Sequence, residues 1–302
     1  MVNLKKKTIS GNEYYYLVHN YRYEGKVLSI EKEIGRNLPE NFEEIKESFI
    51  TTIATKRWIK KIDELKKRYD KKVDFLPNFV QAEHLKDFGI RFTHNTNKIE
   101  GSTLTLREVY LAINEPGIPI NRPTDDIVEA KLHMQCYEEM ISNIEKTKVS
   151  MELILRWHRI LFNMHPNRLN FAGIVRRGQI FISGSNYIPP SGGIECEMLL
   201  EKLFNWYAEN ENTLHPVLLA CLMHFRFVSI HPFDDGNGRI SRLLMNYILF
   251  KKKFPMFDIP VTIRKSYYNA LERANLKEDE MIFVGWFFKN YLKSIKDLRI
   301  PG

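Results

Sequence analysis

Apolar residues recur every three to four positions along most of this chain, and that spacing predicts helices. In NFEEIKESFITTIATKRWIKKIDELKKRYDKK, Phe42, Ile45, Phe49 and Ile53 fall on successive turns. Asn41 is the expected N-cap, and Glu44 three residues on would complete a capping box. A second helix is expected from about Asn78 to Asn97, and a third over TLTLREVYLAIN. EPGIPINRP (115–123) breaks the pattern and reads as a loop. Beyond it, DDIVEAKLHMQCYEEMISNIEK is a long amphipathic helix, and Ser150 is the expected cap of MELILRWHRILFNMH. CEMLLEKLFNWYAENEN, HPVLLACLMHFRFVSI, NGRISRLLMNYILFKKK, RKSYYNALERANL and EDEMIFVGWFFKNYLKSI complete the helical series.

Two stretches depart from this period. Residues 5–35 carry YYYLVHNY and KVLSIEKEIG, rich in Tyr, Val and Ile, with YEGK as a turn between them. AGIVRRGQIFISGSNYIPPSGG (172–193) alternates around glycine and proline clusters and reads as a β-hairpin or extended flap between helices. The expectation is a mainly α protein divided into four parts. These are a small β element at 1–38, a helical region at 39–149, a second helical unit at 150–290 and a helix end at 291–302.

Composition narrows the class. The chain has 302 residues, 44% hydrophobic and 27% charged, enough to bury a real core. No run of about 18 uncharged apolar residues suggests a membrane span, and MVNLKKKTISGNEYYY lacks the apolar region of a signal peptide. Cys136, Cys196 and Cys221 are odd in number and far apart, which suits buried thiols and a cytoplasmic location. The net charge of +8 permits an anionic ligand such as a nucleotide. Most of that excess reads as a solvated lysine-rich surface.

The densest chemistry lies in SIHPFDDGNGRISRLLMNYILF (229–250). Pro232 stops one helix, and another starts near Asn237 or Gly238. Gly236 and Gly238 let the chain turn sharply and let a ligand approach the amides. Free amides at a helix N-terminus favour an anion. Arg239 and Arg242, three apart, can point to one side, and two guanidiniums beside an amide cluster suit a di- or triphosphate. Asp235 offers a hard oxygen for Mg2+. His231, neutral near pH 7, can take a proton from a hydroxyl. Any one of these residues alone would fit a helix corner better, but the combination does not. An EF-hand fails because Arg239 would put positive charge into it. The glycine spacing fits neither a Walker A loop nor GxGxxG.

HPFDDGNGRISR matches the signature HxFx(D/E)GNGRxxR at every fixed position, and the chain thereby resembles the Fic-domain proteins. LHPVLLACLMHFRFVSIHPF is similar to the family's helix entering the motif, and GIVRRGQIFISGSNYIPP to its target-clamping flap; the similarity spans roughly 80–290. The resemblance implies a Fic-type helical bundle with a β-hairpin flap over 150–290, plus the small N-terminal β element. It also implies transfer of AMP from ATP to a Ser, Thr or Tyr hydroxyl of a target protein, including the chain itself, with release of pyrophosphate. By position, His231 would be the base and Asp235 would hold Mg2+. Gly236, Asn237 and Gly238 would form the anion hole, Arg239 would steady the phosphates, and Arg242 would bind the γ-phosphate. Ile180, Phe181, Ile182 and Tyr187 on the flap would face target or nucleotide, with segment 178–190 adding its edge to a target strand. Asn246 reads equally as a nucleotide contact or a core residue.

Thr96-Asn97-Lys98-Ile99-Glu100-Gly101 fits the family's inhibitory pattern (S/T)xxxE(G/N). Taken alone, Glu100 before Gly101 is an ordinary helix end. The resemblance pairs Glu100 with Arg242, so that ATP cannot adopt the productive pose and the chain restrains itself. The same core could remove AMP or transfer another phosphate-containing group. A nucleic-acid-binding regulator with a nucleotide-sensing core is the second class, testable at the β element. Nucleic acid is the less favoured partner, because no room for a winged helix follows KNYLKSIKDL before Gly302. Dimers are common in such proteins, and nothing in this sequence decides the point. His158, His165, His215 and His224 read as packed helix histidines, and Trp157, Trp206 and Trp286 as core.

Overall fold

The computed structural model describes residues 1–115, 121–164 and 169–297. Expectations for residues 116–120, His165 and residues 298–302 lie outside these.

The chain opens with a three-stranded antiparallel sheet, β1 (Val2–Ile9), β2 (Asn12–Tyr23) and β3 (Lys26–Gly35), in that order. Ile9 pairs with Asn12 and Tyr23 with Lys26, leaving two-residue turns, Ser10-Gly11 and Glu24-Gly25. All four turn residues have positive φ, between 48° and 81°, as turns that follow the strand twist require. β1 escapes sequence reading because lysines interrupt its alternation. Two of the three are satisfied locally: Lys6 pairs with Glu13 at 3.0 Å and Lys7 with Glu31 at 2.5 Å. The inner face, with Leu17, His19 and Ile30, is buried.

The helices follow as α1 (Phe42–Ala54), α2 (Lys60–Val73), α3 (Asn78–Glu100), α4 (Leu106–Asn114) and α5 (Thr124–Ser142). They continue as α6 (Met151–Phe162), α7 (Ile194–Asn210), α8 (Pro216–Ile230), α9 (Asn237–Lys251), α10 (Arg264–Leu276) and α11 (Glu280–Asp297). A π-helical turn, Thr55–Ile59, joins α1 to α2. Ser150 caps α6 as expected, accepting from Leu153 N at 3.3 Å. Asn41 does not cap α1. Its φ and ψ of −88° and 32° keep the side chain from the first amides, and Asn41 Nδ2 lies 3.4 Å from Glu44 Oε2 instead. A full capping box forms at Thr105 and Glu108.

α8 is apolar almost all round, and a helix without a polar face belongs inside. Its residues from Val217 to Phe225 are all buried, and α9 packs beside it with Ile240, Leu243, Leu244 and Ile248 fully covered. The other helices wrap this pair in one continuous core that reaches from Leu17 to Ile295. The loop between α8 and α9 is therefore anchored on both sides by the most buried helices of the protein.

The segment expected as a β-hairpin flap is an extended loop with no paired strands among its described residues. Pro189 and Pro190 lack amide donors, and side chains do the work of a ladder. Gln179 Nε2 donates to Ile180 O and Pro189 O at 3.0 and 2.9 Å. Glu272 of α10 accepts from Ser185 Oγ and Asn186 N at 3.2 and 2.7 Å, fixing the tip.

Candidate active site

His231 caps the C-terminus of α8 at φ 54° and ψ 58°, a left-handed conformation uncommon outside glycine. Pro232 prevents α8 from continuing, and His231 N closes its last turn on Phe227 O at 3.2 Å. His231 Nδ1 lies 3.1 Å from Val228 O. A carbonyl only accepts, so Nδ1 carries the proton and Nε2 the lone pair. Burial pushes the His231 pKa below its ordinary value. The Val228 carbonyl opposes that shift, the Arg176 charge adds to it, and the Glu100 and Asp235 carboxylates oppose it.

Gly236, at φ 81°, stands at the N-cap of α9, and a Cβ there would meet Phe162 at 2.9 Å. Asn237 spends its side chain inside the loop. Its Oδ1 accepts from Phe233 N at 2.9 Å and its Nδ2 donates to Phe233 O at 2.7 Å. Of the group expected at the anion hole, Asn237 thus contributes main chain, while its side chain fastens the turn. Replacing Asn237 by Ala removes both bonds in a buried place and should lower stability by about 2–3 kcal/mol in urea unfolding. His158 of α6 holds the loop from below. Its Nδ1 accepts from Gly173 N at 2.7 Å, its Nε2 meets Asp235 O at 3.1 Å, and its ring stacks on Phe233 at 3.8 Å. Burial drives the His158 pKa to about 4, so the ring is neutral. His158 is packed as expected, and it also orients the loop.

Arg239 and Arg242 part company. Arg242 is 1% exposed, donates from Nε to Thr96 Oγ1 at 2.6 Å and meets Glu100 Oε1 at 2.5 Å. Burial works most strongly against its charge, but the Glu100 carboxylate together with Tyr267 and Tyr268 more than offsets it and keeps the guanidinium protonated. Arg242 Nη1 is buried without an acceptor among the described residues. Arg239 turns instead to Glu129 of α5 and to Asp235, each at 3.3 Å, over the Phe162 ring. It is not among the described residues lining the cavity below, because those two carboxylates draw it beneath the loop.

α3 runs one turn further than expected and ends at Glu100, with Gly101 left-handed at φ 117°. Thr96 and Glu100 therefore lie one turn apart on the same face and both reach Arg242. A Cβ on Gly238 would come within 2.4 Å of Glu100 Oε1, so the Glu100 carboxylate sits over the first turn of α9. That is where an anion is favoured. Three further bonds latch this end of α3. Asn95 Nδ2 donates to Asp258 Oδ2 at 2.6 Å, Val261 N to Asn95 Oδ1 at 3.3 Å, and Tyr268 OH to Ile99 O at 3.2 Å.

These groups converge on a cavity of about 730 Å3. His231, Asp235, Gly236, Asn237, Gly238, Arg242 and Glu100 line one side, and Ile180, Phe181, Ile182 and Tyr187 of the flap the other. Phe181 is 75% exposed, and Tyr187 OH donates to Ser229 O at 3.0 Å. Tyr267, Tyr268 and Asn275 of α10 complete the wall. Asn246 lies in the core, bonded to Phe257 N and O at 2.7 and 3.1 Å. His224 is buried against Tyr267 OH at 3.0 Å. Sequence reasoning missed Asp258, Tyr268, Glu129 and Arg176. Of these, only Arg176, the first of two adjacent arginines in the otherwise apolar run GIVRRGQIFI, carried a visible signal.

A helical bundle whose central helix pair presents a histidine, a helix N-terminus and a buried arginine to one cavity defines a class. Residues 148–249 match the model of the Fic/DOC family, and that segment of the chain is a Fic-type domain. It is 35% identical over 181 residues to protein adenylyltransferase Fic of Drosophila grimshawi, across 59% of this chain and 36% of that one. The corresponding figures for the Drosophila melanogaster protein are 36%, 59% and 35%. The chain thus spans about a third of the length of these curated relatives. Among solved structures, a Fic-domain-containing signaling protein from Bacteroides thetaiotaomicron superposes with a TM-score of 0.70. It is 24% identical, over 78% of this chain and 94% of that one. Fic-1 from C. elegans gives 0.66 at 25% identity, over 85% and 72%.

Proposed function

We propose that this chain is a protein adenylyltransferase, moving AMP from ATP to a Ser, Thr or Tyr hydroxyl of a protein, and that Glu100 restrains it. The observation that carries the reading is one cavity holding a histidine with its Nε2 lone pair available, a helix N-terminus and a buried arginine with an unpaired donor, faced by an extended peptide-like flap. The names of the curated relatives support it.

In this reading His231 Nε2 takes the proton of the target hydroxyl. The oxygen bonds to the α-phosphorus, the bond to the bridging oxygen breaks, and pyrophosphate leaves. The amides of Gly236, Asn237 and Gly238 and the Arg242 guanidinium bind the phosphates. Arg239 acts indirectly, by bracing Asp235. The Asp235 side chain is 44% exposed at the cavity, and Mg2+ is held by one or two carboxylates plus phosphate oxygens, so the Asp235 carboxylate fits it. Bound there, Mg2+ would neutralise charge on the phosphates. The flap would take the target segment along its backbone. We assign residues 39–149 to a regulatory part carrying Thr96 and Glu100, ahead of the catalytic part at 150–290.

ATP labelled at the α-phosphate or at the γ-phosphate separates the alternatives. Label should reach protein hydroxyls from the α position alone. Transfer from the γ position would mean phosphoryl transfer, and loss of label from a pre-modified target would mean AMP removal. The nucleic-acid reading is not favoured, because Lys6 and Lys7 of the sheet are paired with Glu13 and Glu31.

The pH dependence follows from His231. The base must be neutral, so the rate rises with pH through its pKa, which lies below the ordinary 6.5, and is flat from there towards pH 8. The Glu100 carboxylate raises that pKa, so Glu100→Gly should move the acid limb to lower pH. A rate–pH profile of both forms checks the sign.

A further inference from the structure

Arg176 stands between the flap and the catalytic loop and is 1% exposed. A buried cation normally finds a carboxylate. Among the described residues none lies within ion-pair distance of Arg176, and its partners are carbonyls. Nε donates to His231 O at 2.7 Å, Nη1 to Gly178 O at 2.6 Å, and Nη2 to Pro190 O at 2.6 Å and Ile230 O at 3.4 Å. Its main chain adds two bonds. Arg176 N donates to Pro232 O at 2.9 Å, and Gly193 N to Arg176 O at 2.7 Å.

One guanidinium thus joins the two arms of the flap, at residues 178 and 190, to the backbone at His231. We propose that Arg176 is a positioning residue for the transfer reaction, fixing His231 relative to the flap so that a target seated on the flap meets the base in register. The inference rests on the reading of His231 as base and of the flap as target site.

The physical argument has three parts. The left-handed backbone of His231 persists only where its surroundings over-determine it, and Arg176 binds the carbonyls of Ile230, His231 and Pro232 in succession. The planar fork of arginine reaches several carbonyls at once, which the point charge of lysine cannot. The anion-binding parts, Gly236 to Gly238 and Arg242, are built by other contacts, so the effect should fall on the chemical step and not on ATP binding.

The test compares Glu100→Gly chain with the same chain carrying Arg176→Lys or Arg176→Gln. Self-modification at saturating ATP should fall about 10- to 100-fold in both, since small misplacements of reacting groups cost that much. The ATP dissociation constant should stay within about twofold. Amide exchange should quicken in 179–188 and at His231 but not in α8 or α9. The acid limb of the rate–pH profile should shift upward in Arg176→Gln and stay in place in Arg176→Lys, which keeps the charge. An unchanged rate, or loss of ATP affinity in step with rate, would overturn the proposal, as would failure of both variants to fold. If the Glu100→Gly parent transfers no AMP, the functional reading falls. Amide exchange and an NMR titration of His231 then still decide whether Arg176 ties base to flap.

Discussion

Replacing Glu100 by Gly should raise the rate of AMP transfer by about 100-fold, measured as initial incorporation from ATP labelled at the α-phosphate. Glu100 meets Arg242 at 2.5 Å over the first turn of α9, where a phosphate would otherwise lie. Separating the buried Arg242 guanidinium from the partly exposed Glu100 carboxylate costs about 3 kcal/mol, because it leaves the guanidinium unpaired. Spent on displacing Glu100 before ATP can bind productively, that cost is a factor of about 100 in rate. The fold should survive. Glu100 is the last residue of α3, its side chain is 33% exposed, and the Asn95, Thr96 and Tyr268 bonds still hold the helix end. Equal rates in the two forms would remove Glu100 as the restraint.

Replacing His231 in the Glu100→Gly background should abolish transfer, with a loss of about 1,000-fold, while ATP binding stays within about threefold. A positioned general base contributes roughly 100- to 10,000-fold. The amides of Gly236 to Gly238 and Arg242 do not depend on the imidazole. The backbone at His231 is left-handed, so His231→Asn is the better control for folding, because asparagine tolerates that conformation more readily than alanine. Both variants should be inactive and folded. An active His231→Asn would assign the proton transfer elsewhere.

Much of this was legible in the chain. The 3.6-residue spacing gave the helices because most of them bury one apolar stripe. The loop at 231–242 was legible because glycine, proline, histidine and arginine report backbone geometry and charge directly. Contacts between distant segments were not. Nothing in the local pattern says that Asn95 reaches Asp258, 163 residues away, or that Arg239 turns to Glu129, and the Glu100–Arg242 pair was expected only through the family resemblance. The flap misled for a related reason. Alternation predicts which faces side chains take, but Pro189, Pro190 and the carbonyl-binding Arg176 replace the cross-strand bonds of a hairpin. β1 was hidden because its lysines look like a solvated tail until Glu13 and Glu31 are seen opposite them.

Intact mass spectrometry of the Glu100→Gly chain and of Glu100→Gly/His231→Ala, after incubation with ATP and Mg2+, tests the central claim most directly. The account predicts that the single variant gains the mass of AMP on a hydroxyl side chain, that the unaltered chain gains little, and that the double variant gains none. A single variant that binds ATP yet gains no mass, or a double variant that gains as much as the single one, would contradict it.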